Sequence, residues 1–444
     1  MIEVVKKQRV PSISSFCLLA SVYYFAVVLD AEATPYTLYS IGAALCFFVF
    51  AITGRRWSVG YAFWLFVSFY TFAGAAVYLL RDAFYFNHPG NFRVPINIWL
   101  IVTLVTLLFS RFDVSRPASL RQNPASLQIN IPWTLVFVAS GFVASFFMFR
   151  GGVPLFANDV NAARARVAAE AQGLFWFLYM GLQMVLLLLL VEFAAVKLSV
   201  SKRFLRLLSV ALLCFVLSLY GGRFFVLMPL LTTAVYLMYK SLINQRYLWL
   251  FVGLVLAVTI SVSSYRMYGS ADNLFDLLVI GVRNDFFPEM RTLVQLESLV
   301  GNFDSAYIWN PFLSFLPSSF YLLFGIDKNA ELMLMIGTYL SAFDAEAQDV
   351  GYRVSILGEV YLGMGYWGVF CSSVIVNGLS IIINKTIKWD LFFVFVLIMF
   401  CMLVPYGVTF IRSSLIMLPF GYVILRLATS RRSLHRFRAR IQAS

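Results

Sequence analysis

Charge is scarce in this chain. Only 12% of its 444 residues are Asp, Glu, Lys or Arg, against about 25% in an average soluble protein. Histidine is nearly missing, with His88 and His435 alone, which leaves little for histidine-centred catalysis or a histidine metal site. The five cysteines, Cys17, Cys46, Cys214, Cys371 and Cys401, are odd in number and all sit inside apolar segments. That excludes a disulfide framework and any metal-ligand spacing, and they read as small packing residues. Acid is the scarcer sign, 21 residues against 34 basic ones, for a net charge of +13. In a soluble protein that imbalance would suggest nucleic acid; here the basic residues fall in short loops, where membrane topology accounts for them. No internal repeat is evident, so the inverted repeats of many transporters are missing too.

What fills the chain is apolar. Hydrophobic residues make up 61% and the mean hydropathy is +0.83, values that place it among integral membrane proteins. Twelve segments stand out: 12–29, 36–53, 57–80, 94–110, 131–149, 173–196, 204–220, 223–239, 247–265, 354–384, 391–406 and 408–428. Most reach the roughly 17 to 25 residues of a bilayer-spanning helix. Segment 12–29 follows a basic tail as a signal peptide would, and it is expected to be retained as a helix.

With the N-terminus inside, the connections between segments sort by charge. Inside lie 22 of the 34 Lys and Arg, including Arg55/Arg56, Lys202/Arg203/Arg206, Lys385/Lys388 and the Arg-rich tail, with only Glu3, Asp113, Glu192 and Asp390. The inner total is +18 and the outer −5, consistent with the overall +13. Both termini are therefore expected in the cytoplasm. The expected fold is one all-α polytopic transmembrane domain over 1–444. Its outer side carries a loop with a short helix at 150–172 and a large loop at 266–353 packed on the bundle. The apolar run 307–325 inside that loop holds Pro311 and Pro317 and would strand five acids in the cytoplasm if it crossed. It reads instead as interfacial or re-entrant. Segment 354–384 is longer than one span and has Gly358, Gly363, Gly365 and Gly368 in its first half, so a break near the glycines is expected.

Chemistry on this layout belongs to the outer arginines and carboxylates. Even-numbered spans enter from outside and present free N–H groups and a partial positive charge there. Arg223, Arg353 and Arg412 stand at three such starts. A guanidinium at a helix N-terminus suits a pyrophosphate, because it grips two oxygens while backbone amides take others. Snorkelling to lipid headgroups is the competing reading. Arg223 follows Tyr220-Gly221-Gly222, glycines that leave room for a ligand. Arg164 and Arg166, two apart on a helix, point to nearly opposite faces, so at most one faces a common site, and Arg166 is also placed to pair with Glu170.

Three runs resemble a known family. Phe149-Arg150-Gly151-Gly152-Val153-Pro154-Leu155-Phe156, followed by Asn161-Ala162-Ala163-Arg164, is similar to the third outer loop of Wzy-type O-antigen polymerases. Gly222-Arg223-Phe224-Phe225-Val226-Leu227 is an Arg-x-x-x-Leu shared in form with O-antigen ligases, and Arg353 to Gly368 resembles the segment that closes the large periplasmic loop. The resemblance covers about 140–384.

It implies a GT-C-like glycosyltransferase that needs neither metal nor cofactor. Donor and acceptor would both be undecaprenyl-pyrophosphate-linked glycans. A chain-length regulator and a flippase would be partners, with membrane lipid around it and no nucleic acid. On that reading Arg223 and Arg353 stabilise the departing pyrophosphate, Arg150, Arg164, Arg166 and Arg412 bind substrate, and Glu359 is the base for the acceptor hydroxyl. Glu359 could equally orient Arg353 or Arg412, and Asp344, Glu346 and Asp349 are other candidates for the base. A ligase would carry a histidine near Arg353, and none stands there. The acidic pair Asp30 and Glu32 lies in a loop too short for a metal site. A flippase would need charges near the midplane, where Glu192 is only a partial exception.

Overall fold

The computed structural model describes residues 57–79, 93–110, 112, 129–157, 163, 166–167, 173–195, 199–220, 224–240, 242 and 355–429. The described residues form helices and no strand ladder, an architecture compatible with a helical membrane protein. Spans 12–29, 36–53 and 247–265 and the loop 266–353 lie outside the described residues. The helices are α1 (Val59–Leu79), α2 (Arg93–Phe109), α3 (Ile131–Met148), α4 (Gly173–Ala195), α5 (Val200–Ser218), α6 (Phe224–Tyr239), α7 (Ile356–Thr386) and α8 (Asp390–Ala428). Three stretches, Ile131–Met148, Phe177–Ala195 and Ile356–Thr386, are long and apolar enough to cross a membrane. Helix α5 has the length, but Lys202, Arg203 and Arg206 crowd its first turns.

The chain divides into two compact units. The first holds α1, α2 and α7. Its helices are joined by hydrogen bonds through their length. Trp64 Nε1 donates to Thr103 Oγ1 at 2.9 Å and Trp99 Nε1 to Ser68 Oγ at 2.8 Å. Each hydroxyl in turn donates to the carbonyl four residues back, that of Trp99 or Trp64, so α1 and α2 hold one another by the same device used twice. The start of α1 is capped from α7: Gly60 N–H donates to Ser380 Oγ at 2.6 Å and Val59 N–H to Asn384 Oδ1 at 3.4 Å. Side chains of a neighbouring helix thus satisfy two of the amides that every helix start leaves without an internal partner. A Cβ on Gly60 would lie 2.8 Å from Asn377 Oδ1, so the approach requires glycine. Asn377 Nδ2 reaches Thr106 Oγ1 at 3.3 Å, and Asn97 Nδ2 reaches Tyr366 Oη at 3.1 Å.

Helix α7 bears out the expected break. Gly365 has φ 60° and ψ −150°, a conformation essentially confined to glycine. In a straight helix residues 360 and 368 would stand about 12 Å apart. Here a Cβ on Gly368 would meet Val360 O at 2.8 Å and Met364 Cβ at 2.7 Å. The chain therefore turns a sharp elbow at Gly365, and Gly368 lets the two arms touch.

The second unit holds α3 to α6 and the two end portions of α8. Its centre is α4, whose window Phe177–Ala195 is 72% buried against 28% for Ile131–Met148 of α3. Leu182 occupies the gap at Gly141 of α3, where a Cβ would lie 2.3 Å from Leu182 Cδ2. Gly181 and Gly421 give the same close approach between α4 and α8, against Ile424 and Met184.

Helix α8 is continuous in backbone terms over 39 residues, yet the rings of Phe392 and Tyr422 lie 5.1 Å apart. A straight helix would hold those residues ~45 Å apart, so the chain reverses between them.

Within each unit the contacts pair ends that the charge pattern puts on one side. In the first, the start of α1 meets the end of α7. In the second, Asn130 N–H donates to Ala428 O at 2.7 Å, Arg206 pairs with Glu192 at 2.6 Å, and Lys240, at the end of α6, pairs with Asp390, at the start of α8. At the opposite end, Leu155 N–H donates to Leu219 O at 3.0 Å.

Candidate functional site

The end of the second unit opposite the Lys240–Asp390 pair is built around Tyr179. Its hydroxyl donates to Leu217 O at 2.8 Å and lies 3.2 Å from Val216 O. These carbonyls belong to the last turn of α5, where helix geometry leaves acceptors without intrahelical donors. The Tyr179 ring also meets Phe149 at 5.8 Å and Phe225 at 5.5 Å, edge to face, and Phe225 meets Tyr220 at 5.4 Å. This aromatic cluster fastens the exit of α3 to the hairpin between α5 and α6.

The loop after α3 lies on that hairpin. Gly152 N–H donates to Phe149 O at 2.9 Å, and Gly152 takes φ 117°, a backbone conformation that favours glycine. A single 3-10 turn, Pro154–Phe156, follows, and Leu155 N–H bonds across to Leu219. Arg150 is exposed. Ala163 and Val167, one helical turn apart, are buried, while Arg166 is exposed. The Arg166 guanidinium lies over the Gly151-Gly152 turn, with Nη2 3.3 Å from where a Gly152 Cβ would be. The sequence offers Arg164 and Arg166 both as substrate-binding residues and also places Arg166 to pair with Glu170. The structure places Arg166 on the loop, whereas Arg164 and Glu170 lie outside the described residues. Arg223 lies outside them as well, two positions before Phe225.

In the first unit Glu359 occupies the short arm of α7, four residues after its cap. Ser355 Oγ accepts from Gly358 N–H at 3.1 Å, and Glu359 is buried, with 6% exposure. A carboxylate in the first turn of a helix is favoured by the partial positive charge there, and this one is also engaged by neighbouring groups. Below it, Tyr361 and Tyr366 flank the elbow with rings 4.9 Å apart. Arg353 lies outside the described residues, and so does the side chain of Arg412.

The described candidate residues fall into two groupings, one in each unit. Arg150, Arg166 and the anchor of the turn before Arg223 share one end of the second unit; Glu359 sits near the elbow of α7 in the first. Tyr179 was missed in the sequence, where it is one tyrosine inside an apolar run. Its only signal is position: it lies at the depth where the carbonyls of the next helix end need donors.

The chain matches no family model, and no curated protein or solved structure is significantly similar to it.

Proposed function

We propose that this protein is a twelve-span, GT-C-like glycosyltransferase of a bacterial inner membrane, with both termini cytoplasmic. It polymerises undecaprenyl-pyrophosphate-linked oligosaccharide repeat units into O-antigen or a similar surface polysaccharide at the periplasmic face. The observation that carries this reading is the seating of the 149–156 run on the turn before Arg223. Two runs that resemble Wzy-type polymerases, 70 residues apart in sequence, are held together there, with Arg150 and Arg166 exposed beside them.

The reaction is a displacement at an anomeric carbon. The acceptor hydroxyl oxygen forms the new glycosidic bond, the bond from that carbon to the pyrophosphate oxygen breaks, and undecaprenyl pyrophosphate departs with the electron pair. Arginines offset its growing charge without reorganising at the moment of reaction. Arg223 and Arg353 take that role, and Arg150, Arg164, Arg166 and Arg412 hold the anionic substrates. The hydroxyl proton passes to a carboxylate, for which Glu359 is chosen because it is buried at the head of a broken helix.

In a strain lacking the chromosomal copy, wild-type protein restores long surface-glycan ladders. Arg223→Ala is expected to reach the membrane in normal amount yet yield at most one repeat per core, a loss well beyond 100-fold in polymer. Long ladders from Arg223→Ala would end this reading of Arg223, and unmodified core in the deletion strain would indicate a ligase or a flippase instead.

A further inference from the structure

The interior of the second unit is mostly apolar, and among its few described buried polar side chains Gln183 is the one amide. Gln183 of α4 is 1% exposed, and its Nε2 finds no hydrogen-bond partner among the described residues. An amide that keeps two donors unmatched in a membrane bundle is costly, since lipid offers no acceptor in exchange for water.

The direction of Gln183 follows from its neighbours. Leu182 turns to Gly141 of α3, and Gly181 and Met184 turn to α8. Tyr179, one turn earlier and about 40° around the helix, meets Phe225 of α6. Gln183 therefore faces α6. Helices α4 and α5 are antiparallel, since Tyr179 meets 216–217 and Glu192 meets Arg206, and a tight hairpin returns the chain into α6. Helices α4 and α6 thus run in parallel, and one turn below the Tyr179–Phe225 contact brings Gln183 to the level of Met228 and Pro229.

That part of α6 is polar. Thr232, seven residues after Phe225 and so on the same face, is 0% exposed. Its hydroxyl donates to Met228 O at 2.8 Å, which uses its proton and leaves the oxygen able to accept. Thr233 does the same to Pro229 O at 2.8 Å. The α6 side offers acceptors, the α4 side offers unmatched donors, and the two stand about one helical turn apart in height, roughly 5 Å.

We propose that Gln183 and Thr232 form a buried socket for one water molecule, which accepts from the Gln183 amide and donates to Thr232 Oγ1. A site with such a set of polar partners meets the usual requirement for interior water. The water ties α4 to α6 just below the aromatic cluster, so it holds the helix whose head follows Arg223.

The test is a cryo-electron microscopy map of the full chain in lipid nanodiscs, at a resolution that shows ordered water. It is paired with melting of Gln183→Leu, Thr232→Val and the double variant. A density peak within hydrogen-bond distance of both Gln183 Nε2 and Thr232 Oγ1, lost in the Gln183→Leu map, is the expected result. Each single variant should then melt about 2 °C lower, and the double variant no lower than either. A direct side-chain partner for Gln183 in that map overturns the proposal, as does a dry gap with Gln183→Leu melting higher than wild type. Neither readout depends on glycan synthesis, so the socket stands or falls apart from the proposed activity.

Discussion

The two units solve the same problem by different means. In the first, α1, α2 and α7 are laced by side-chain hydrogen bonds from Asn97 at one end to Asn384 at the other. In the second, α3, α4 and α8 meet through leucine, methionine and isoleucine packed into glycine gaps, and among the described residues the ion pairs stand near the helix ends. Lipid tails are as apolar as leucine, so burying leucine drives no association in a bilayer. Close packing and interhelical hydrogen bonds must do so. Hydrogen bonds fix the register of one helix on another, because a shift by one residue unmatches every pair. Gap packing fixes how closely the helices approach and tolerates no added volume. Away from Gly60 and Gly368, the first unit should therefore resist changes in bulk, and the second changes in polarity, except at its charged ends.

The largest expected effect lies at one of those ends. The Lys240 side chain is 3% exposed and that of Asp390 12%, with Tyr239 Oη 3.5 Å from the carboxylate. Lys240→Met should destabilise by about 3–5 kcal/mol, because it leaves Asp390 buried without its counter-charge. Adding Asp390→Leu should recover most of that loss, since a buried pair replaced by apolar groups of similar volume is often neutral. Equal loss in the single and double variants, measured by steric trapping in bicelles, would mean that Lys240 packs by its stem alone.

Next comes bulk. Gly141→Ala places a methyl group 2.3 Å from Leu182 and should cost about 1–3 kcal/mol through overpacking. Gly378→Ala in the first unit has nothing within 4 Å of the added carbon. It should be neutral or stabilising by up to about 1 kcal/mol, the ordinary helix preference for alanine. Melting curves of the two variants side by side decide the contrast; comparable losses from both would erase the distinction between the units.

How far these features could be read beforehand depends on the kind of signal each leaves. Apolar length and basic punctuation marked every described helix, because a bilayer requires long apolar runs whatever they pack against. The glycines of 358–368 announced a break, since few other residues tolerate the backbone at Gly365. The Trp64–Ser68 and Trp99–Thr103 pairs, by contrast, look like ordinary interfacial residues until two helices are set side by side. Helical periodicity separates Arg164 from Arg166 but does not say which of them faces the loop; Arg166 is set over it by the buried pair Ala163 and Val167, in an alanine-rich stretch with weak contrast between faces.

The smallest effect isolates the hydrogen bonds of the first unit. Trp64→Phe removes one indole donor and Thr103→Val its acceptor, each with little change in shape. A double-mutant cycle should give a coupling of about 0.6 kcal/mol, the average for such bonds between membrane helices. Thr103 Oγ also donates to Trp99 O at 2.8 Å, so Thr103→Val alone should lose more than Trp64→Phe alone. The mirror cycle on Trp99 and Ser68 should behave alike, with Ser68→Ala the more costly single change for the same reason. If either cycle gives zero coupling, the indoles act there by packing. The placement of α1 in the unit would then rest on the caps that Ser380 and Asn384 of α7 supply to its start, and Ser380→Ala would become the variant that loosens the unit.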